Sequence, residues 1–154
     1  MNSIKNGETK KYIEYLKPDG QLEASQVSDF LELYLCEGKT ILYADWSGVL
    51  DARRARLGCT TILEALHGNP ISKILNNNSK VTGHYPGAID WVGKVWFPEM
   101  HALGVRYFAW VYSPAFYTQI GTDEIVRLSS KVEIETFYEL GHACQWLLSK
   151  PLNA

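Results

Sequence analysis

The sequence predicts an α/β domain: a mixed, mostly parallel sheet of about five strands, opened by an N-terminal β-hairpin and packed by helices. Three observations carry this. Two apolar runs, residues 30–36 and 40–46, are separated by Glu37-Gly38-Lys39, a short glycine-containing connection that suits an antiparallel hairpin. Beyond Asp51 the apolar period lengthens from two residues to the three-to-four of a helix. From there to the end, helical patterns alternate with short apolar runs, as in βα units.

Residues 1–10 are polar and read as a flexible N-terminus ahead of one domain over residues 11–150. A β-like stretch is expected over 11–16, then a turn at Pro18-Asp19-Gly20. In the first hairpin strand Leu31, Leu33 and Leu35 share a face. Asp51 is a good N-cap for a helix to about His67, with Ala55, Cys59, Ile62, Leu63 and Leu66 on one stripe. Arg53, Arg54 and Arg56 crowd its first turn, where positive charge opposes the helix dipole; they read as a solvated face or as a patch for an acidic partner. Gly68-Asn69-Pro70 stops that helix.

Residues 71–75 read as a short strand, and 76–85 as a polar loop. Pro86 opens a second helix with Ile89, Val92, Val95, Trp96 and Met100 on its apolar face, a kink or break at Pro98, and Gly104 as its stop. Residues 105–112 are apolar on both faces, as a central parallel strand should be. Residues 115–129 form a broken helical stretch with Thr122 as a second cap. Residues 132–136 alternate and belong near a sheet edge. A last helix over 138–150 turns Leu140, Ala143, Cys144, Leu147 and Leu148 inward.

Composition narrows function. Across 154 residues, 46% apolar and 21% charged content is that of a globular domain with a full core. A net charge of -2 gives no basic footprint for nucleic acid. No apolar run approaches the ~20 residues of a membrane span, and the polar start lacks a secretory h-region, so a cytoplasmic location is expected. Cys36, Cys59 and Cys144 are widely spaced and read as buried, reduced thiols. His67, His84, His101 and His142 show no metal-ligand spacing, and neither a Gly-x-Ser-x-Gly elbow nor a phosphate-binding loop is present, so no metal, cofactor or catalytic set is expected.

Several local stretches resemble the SpoIIAA-like STAS domains, a family grouped with anti-sigma-factor antagonists. They are Tyr43-Ala44-Asp45-Trp46-Ser47-Gly48, Ile74-Leu75-Asn76-Asn77-Asn78, Trp91 with Trp96-Phe97-Pro98, Gly104-Val105-Arg106-Tyr107-Phe108-Ala109-Trp110-Val111, and Phe137 leading into Ala143-Cys144-Gln145-Trp146-Leu147. The resemblance spans about residues 31–148. It implies a STAS-like sheet, near the CRAL-TRIO lipid-transfer fold, and a regulatory domain without catalytic residues. One departure matters. Where those antagonists carry a phosphoacceptor serine, this chain reads Gly83-His84-Tyr85-Pro86-Gly87-Ala88-Ile89-Asp90, so that regulation does not carry over.

The candidate binding residues are Trp46, Ser47, Asn76, Asn77, Asn78, Thr82, His84, Tyr85 and Ser113. In open α/β sheets ligands sit beyond the carboxyl ends of the strands, where these residues are expected to line a crevice; the leading alternative is that the Asn residues brace a tight connection. Of the five tryptophans, Trp110 and Trp146 read as core, and an exposed Trp91–Trp96 pair would mark an interface. The expected function is a non-enzymatic interaction or regulatory domain that binds a protein partner or itself. The alternatives are a binding domain for an apolar or amphipathic small molecule, and a small hydrolase.

Overall fold

The computed structural model describes residues 4–5 and 14–152. In chain order the elements are β1 (Ile4–Lys5), β2 (Pro18–Leu22), β3 (Leu31–Cys36), β4 (Ile41–Leu50), α1 (Ala52–Leu66) and β5 (Lys73–Gly83). Then come α2 (Pro86–Trp91), a π-helical turn (Val92–Trp96), α3 (Phe97–Ala102), β6 (Tyr107–Val111), α4 (Phe116–Leu128), β7 (Glu133–Phe137) and α5 (Leu140–Ser149). The strands lie side by side in sequence order. Among the six longer than two residues, β2–β3 and β3–β4 pair antiparallel, while β4–β5, β5–β6 and β6–β7 pair parallel. The α/β class, the β3–β4 hairpin and the mostly parallel sheet match the sequence reading, and β7 lies at the predicted edge.

Strand alternation sends side chains to two cores. Leu31, Leu33, Leu35, Leu42, Ala44, Trp46, Ile74, Phe108 and Trp110 face the layer of α1 to α4. Tyr34, Cys36, Ile41, Tyr43, Leu75, Ala109 and Val111 face the other way, toward Ala143, Cys144 and Leu147 of α5. The buried ammonium of Lys73 donates from β5 to the carbonyls of Leu147 (2.6 Å) and Lys150 (2.8 Å), so a strand side chain caps the end of α5. All three cysteines are free and buried.

Several sequence expectations need correction. Residues 76–83 are not a loop: they continue β5, with Asn76, Asn77 and Asn78 buried. Asparagine disfavours strands when its amide competes with the backbone, but here side chains and one turn N–H satisfy these amides. Pro18-Asp19-Gly20 is not a turn but the start of β2, its turn chemistry absorbed by a register shift between Pro18 and Gly20. Residues 115–129 hold one unbroken helix, and Thr122 is buried inside it rather than capping it. A Cβ on Gly93 would meet Leu128 Cβ at 2.8 Å, so the C-terminal end of α4 packs closely on the π turn. Pro98 does not end the helical run, which changes from a π turn to α3 just ahead of it. The preceding π turn, where the Phe97 N–H bonds the Val92 carbonyl, shifts the ladder so that Pro98 falls in the first turn of α3 and needs no N–H. Val95 and Leu148 are exposed, each lying off its helix's buried stripe. The β-like stretch expected over 11–16 is irregular at 14–16, and residues 11–13 lie outside the described residues, as do 1–3 and 6–10 of the expected flexible terminus.

The sheet's carboxyl end has one special feature. β3 pairs with β4 only as far as Trp46, and β6 with β5 only as far as Asn77. Beyond a bulge at Asn78 and Ser79, β4 and β5 run on as a two-stranded parallel ribbon, from Ser47↔Lys80 to Leu50↔Gly83. This ribbon stands past its neighbours, level with the N-termini of α1, α2 and α4.

Candidate functional site: the carboxyl end of the sheet

Beneath the ribbon lies a small cavity whose lining includes Trp46, Asn76, Asn78, Tyr85, Trp96, Trp110 and Cys59. Trp46 donates from Nε1 to Asn76 Oδ1 at 2.8 Å and stacks on Phe30, the rings 6.4 Å apart and 12° from parallel. Asn76 in turn donates to Asn78 Oδ1 across a long 3.5 Å contact. Trp96 Nε1 bonds the Cys59 carbonyl at 2.8 Å. Burial pushes the Tyr85 hydroxyl up to about 12, with the nearby Thr122 hydroxyl opposing. The cavity volume, about 30 Å³, decides what fits. It is room for one or two waters, whereas a small aromatic ligand needs on the order of 150 Å³.

On the opposite face Asn77 donates to the Tyr43 hydroxyl at 3.0 Å and accepts from the Ser79 N–H at 2.9 Å, which shapes the bulge. Beside it Asp45 pairs with Lys80 at 2.8 Å. Burial raises the Asp45 carboxyl above its ordinary value more than Lys80 lowers it. Ser113 Oγ donates to the Val81 carbonyl at 2.5 Å and accepts from the Ala115 N–H, and Thr118 Oγ1 donates to the Gly83 carbonyl at 2.7 Å. These hydroxyls satisfy the ribbon edge that β6 no longer reaches.

The nine predicted residues therefore divide. Trp46, Asn76, Asn77, Asn78, Tyr85 and Ser113 are interior and brace the ribbon, while Ser47 is half-buried and Thr82 and His84 are exposed on it. The structure does not bring them into one crevice. The tryptophan pair also separates: Trp96 is buried, and Trp91 is half-buried with the Arg56 guanidinium 4.6 Å over its ring. Among the described residues, no three His, Cys, Asp or Glu side chains gather as metal ligands, and no helix is long and apolar enough to cross a membrane.

Sequence reasoning misses the surface of this end. Phe116 is 68% exposed, Tyr117 71%, Ile120 49% and Tyr138 75%. They fall in two contact groups, one at each end of a stripe on α4 that also carries Ile120. Tyr117 meets His84 edge-on at 6.4 Å and Phe116 at 5.9 Å; Tyr112 packs on Tyr138 at 4.9 Å and donates its hydroxyl to Asp123 of α4. Phe116, Ile120 and Asp123 lie at i, i+4 and i+7 on α4, opposite the buried Thr118, Gly121, Thr122 and Ile125. Apart from Ile125 the helix buries small and polar side chains and shows its aromatic ones to solvent, an inversion of the usual pattern. The signal is Phe116-Tyr117, two residues after Ser113-Pro114, but two apolar stripes on one helix imitate a broken one.

Comparison with protein-family models, with curated proteins and with solved structures finds no match to this chain.

Proposed function

We propose that this chain is a non-enzymatic interaction module, STAS-like in its regulatory character, that docks a protein through the aromatic rim at the carboxyl end of its sheet. One observation carries the reading: four large apolar side chains, each about half exposed or more, cluster at one end of the fold. Isolated exposed apolar residues are ordinary, but a clustered set of this kind marks a binding surface. Covering each would contribute roughly 1.5–3 kcal/mol, enough for a few aromatics to dominate an interface. The cavity under the ribbon, at about 30 Å³, is several-fold too small to hold an apolar small-molecule ligand.

The test is a Phe116→Ser/Tyr138→Ser double variant. Both side chains are exposed, so its melting temperature is expected to stay near wild type while retention of any co-purifying partner is lost. Retention equal to wild type in the folded variant would refute the rim as the docking surface.

A further inference from the structure

We infer that the occupant of the rim is a second copy of this chain, docked face to face about a two-fold axis; this rests on the rim being the docking surface. The strand order fixes the layout. Arg53 and Arg54 lie after β4 at the start of α1, with Arg54 Nη1 on the Val49 carbonyl. The exposed Val49 and His84 follow at the ribbon tip, then Phe116 and Tyr117 after β6, and Tyr138 with Glu139 after β7.

The rim is therefore bipolar. Its α1 end carries Arg53 and Arg54, whose guanidinium groups make no ion pair among the described residues and outnumber the one carboxylate there, that of the N-cap Asp51. Its far end carries Glu139, exposed and without an ion pair there, and Asp123, which accepts only the Tyr112 hydroxyl. Between the ends the exposed Val49, Phe116 and Tyr117 dominate, with Thr82 and His84 beside them. The two ends are three strand spacings apart, roughly 14 Å.

A surface that is basic at one end, acidic at the other and mostly apolar between is complementary to itself under a two-fold through its middle. Each arginine end then meets a carboxylate end, twice by symmetry, and the aromatics close on one another. A foreign partner would need an independently matched bipolar surface, whereas a second copy supplies it without further design. The contact also neutralises charge that the lone chain leaves against its own helix dipole.

The test is sedimentation velocity on the full chain over a concentration series, with Arg53→Glu and Glu139→Lys, each confirmed as folded by circular dichroism. Wild type is expected to show a concentration-dependent dimer, and each variant alone to weaken it roughly tenfold or more, because like charges then face each other. An equimolar mixture of the two variants is expected to recover dimer. In that pairing the two substituted side chains, one from each chain, meet as opposite charges with their signs exchanged, and the second contact remains Arg53 with Glu139. A wild-type dimer that both variants leave unchanged, or a mixture that stays dissociated, overturns the inference. A wild type monomeric throughout overturns it too. In that case loss of a foreign partner by the Phe116→Ser/Tyr138→Ser protein would leave the rim standing as a docking surface, and its retention would remove both.

Discussion

Gly58→Ala should destabilise this protein although alanine is the better helix former. Gly58 lies inside α1, where the exchange alone would favour folding by about 1 kcal/mol. A Cβ at that position, however, would stand 2.3 Å from Trp46 Cη2 and 2.5 Å from Cζ3, more than 1 Å inside the carbon–carbon contact distance. The indole has nowhere to retreat. It is stacked on Phe30, held by Asn76 Oδ1 at 2.8 Å, and only 4% exposed. Relief by backbone movement is an overpacking cost of about 1–3 kcal/mol. Relief by swinging the ring breaks the Trp46–Asn76 bond and leaves two buried polar groups unpaired, about 1–3 kcal/mol more. Set against the helix gain, the two costs together leave a net loss of about 1–5 kcal/mol, a large share of a stability that is typically 5–15 kcal/mol. Urea denaturation followed by tryptophan fluorescence and far-UV circular dichroism measures it. In a Trp46→Phe background, where the smaller ring vacates the contact, the same substitution should become neutral or stabilising. A Gly58→Ala protein as stable as wild type would refute the claim that Trp46 is clamped.

Four further outcomes follow from the same packing. Asp45→Asn should raise stability at neutral pH: burial raises the folded carboxyl above its unfolded 3.8, so the native state holds the proton more tightly and stability falls as pH rises through that interval. The melting-temperature advantage of the variant should therefore grow from acid toward neutral pH, and a variant less stable at neutral pH would show that the Lys80 pair outweighs burial. Lys73→Met removes the donor to the Leu147 and Lys150 carbonyls and should cost about 1–3 kcal/mol, with faster hydrogen exchange in the last turn of α5; unchanged exchange there would deny the capping role. Asn76→Ala strips the acceptor from the Trp46 indole and should cost about 2 kcal/mol in urea denaturation, where a binding residue free of structural duty would cost almost nothing. The three cysteines, their thiols raised by burial, should resist a thiol reagent in the native state and react on unfolding; fast native reaction would contradict their burial.

The parts of the fold legible in the sequence are those where a local pattern and tertiary packing agree. Leu31, Leu33 and Leu35 alternate because one face of β3 is buried under helices, and Asp51 caps α1 with its own carboxylate. The misleading parts are those where a distant partner overrides local preference. Three consecutive asparagines look like a loop until Trp46 and Tyr43, about thirty residues earlier, supply hydrogen-bond partners for Asn76 and Asn77. Pro98 looks like a break until the π turn ahead of it absorbs the missing N–H. For the candidate site, the carboxyl end of the sheet follows from βα order alone, but which side chains face solvent there does not. Polarity points to the asparagines, which are interior, and away from Phe116 and Tyr117, which are outside.

The interior and the rim are mechanically connected. A two-stranded parallel ribbon with free edges would ordinarily fray, since neither strand has a second neighbour. Here Ser113 and Thr118 bond the Val81 and Gly83 carbonyls from the side, Arg54 holds the Val49 carbonyl, and the Asn76–Trp46 pair anchors the base. At the tip Gly83 has φ +115°, and a Cβ there would meet the Leu50 carbonyl at 2.2 Å, so the last pairing closes only with glycine. Ser113 and Thr118 flank Phe116 and Tyr117 in sequence, so the bonds that hold the ribbon also fix the start of α4 and the aromatic side chains it presents. Rigidity of that kind reduces the ordering cost of association. The polar network that resembles a binding site in the sequence thus braces the ribbon and the start of α4, and in the proposed docking role it would keep the aromatic surface in place before a partner arrives.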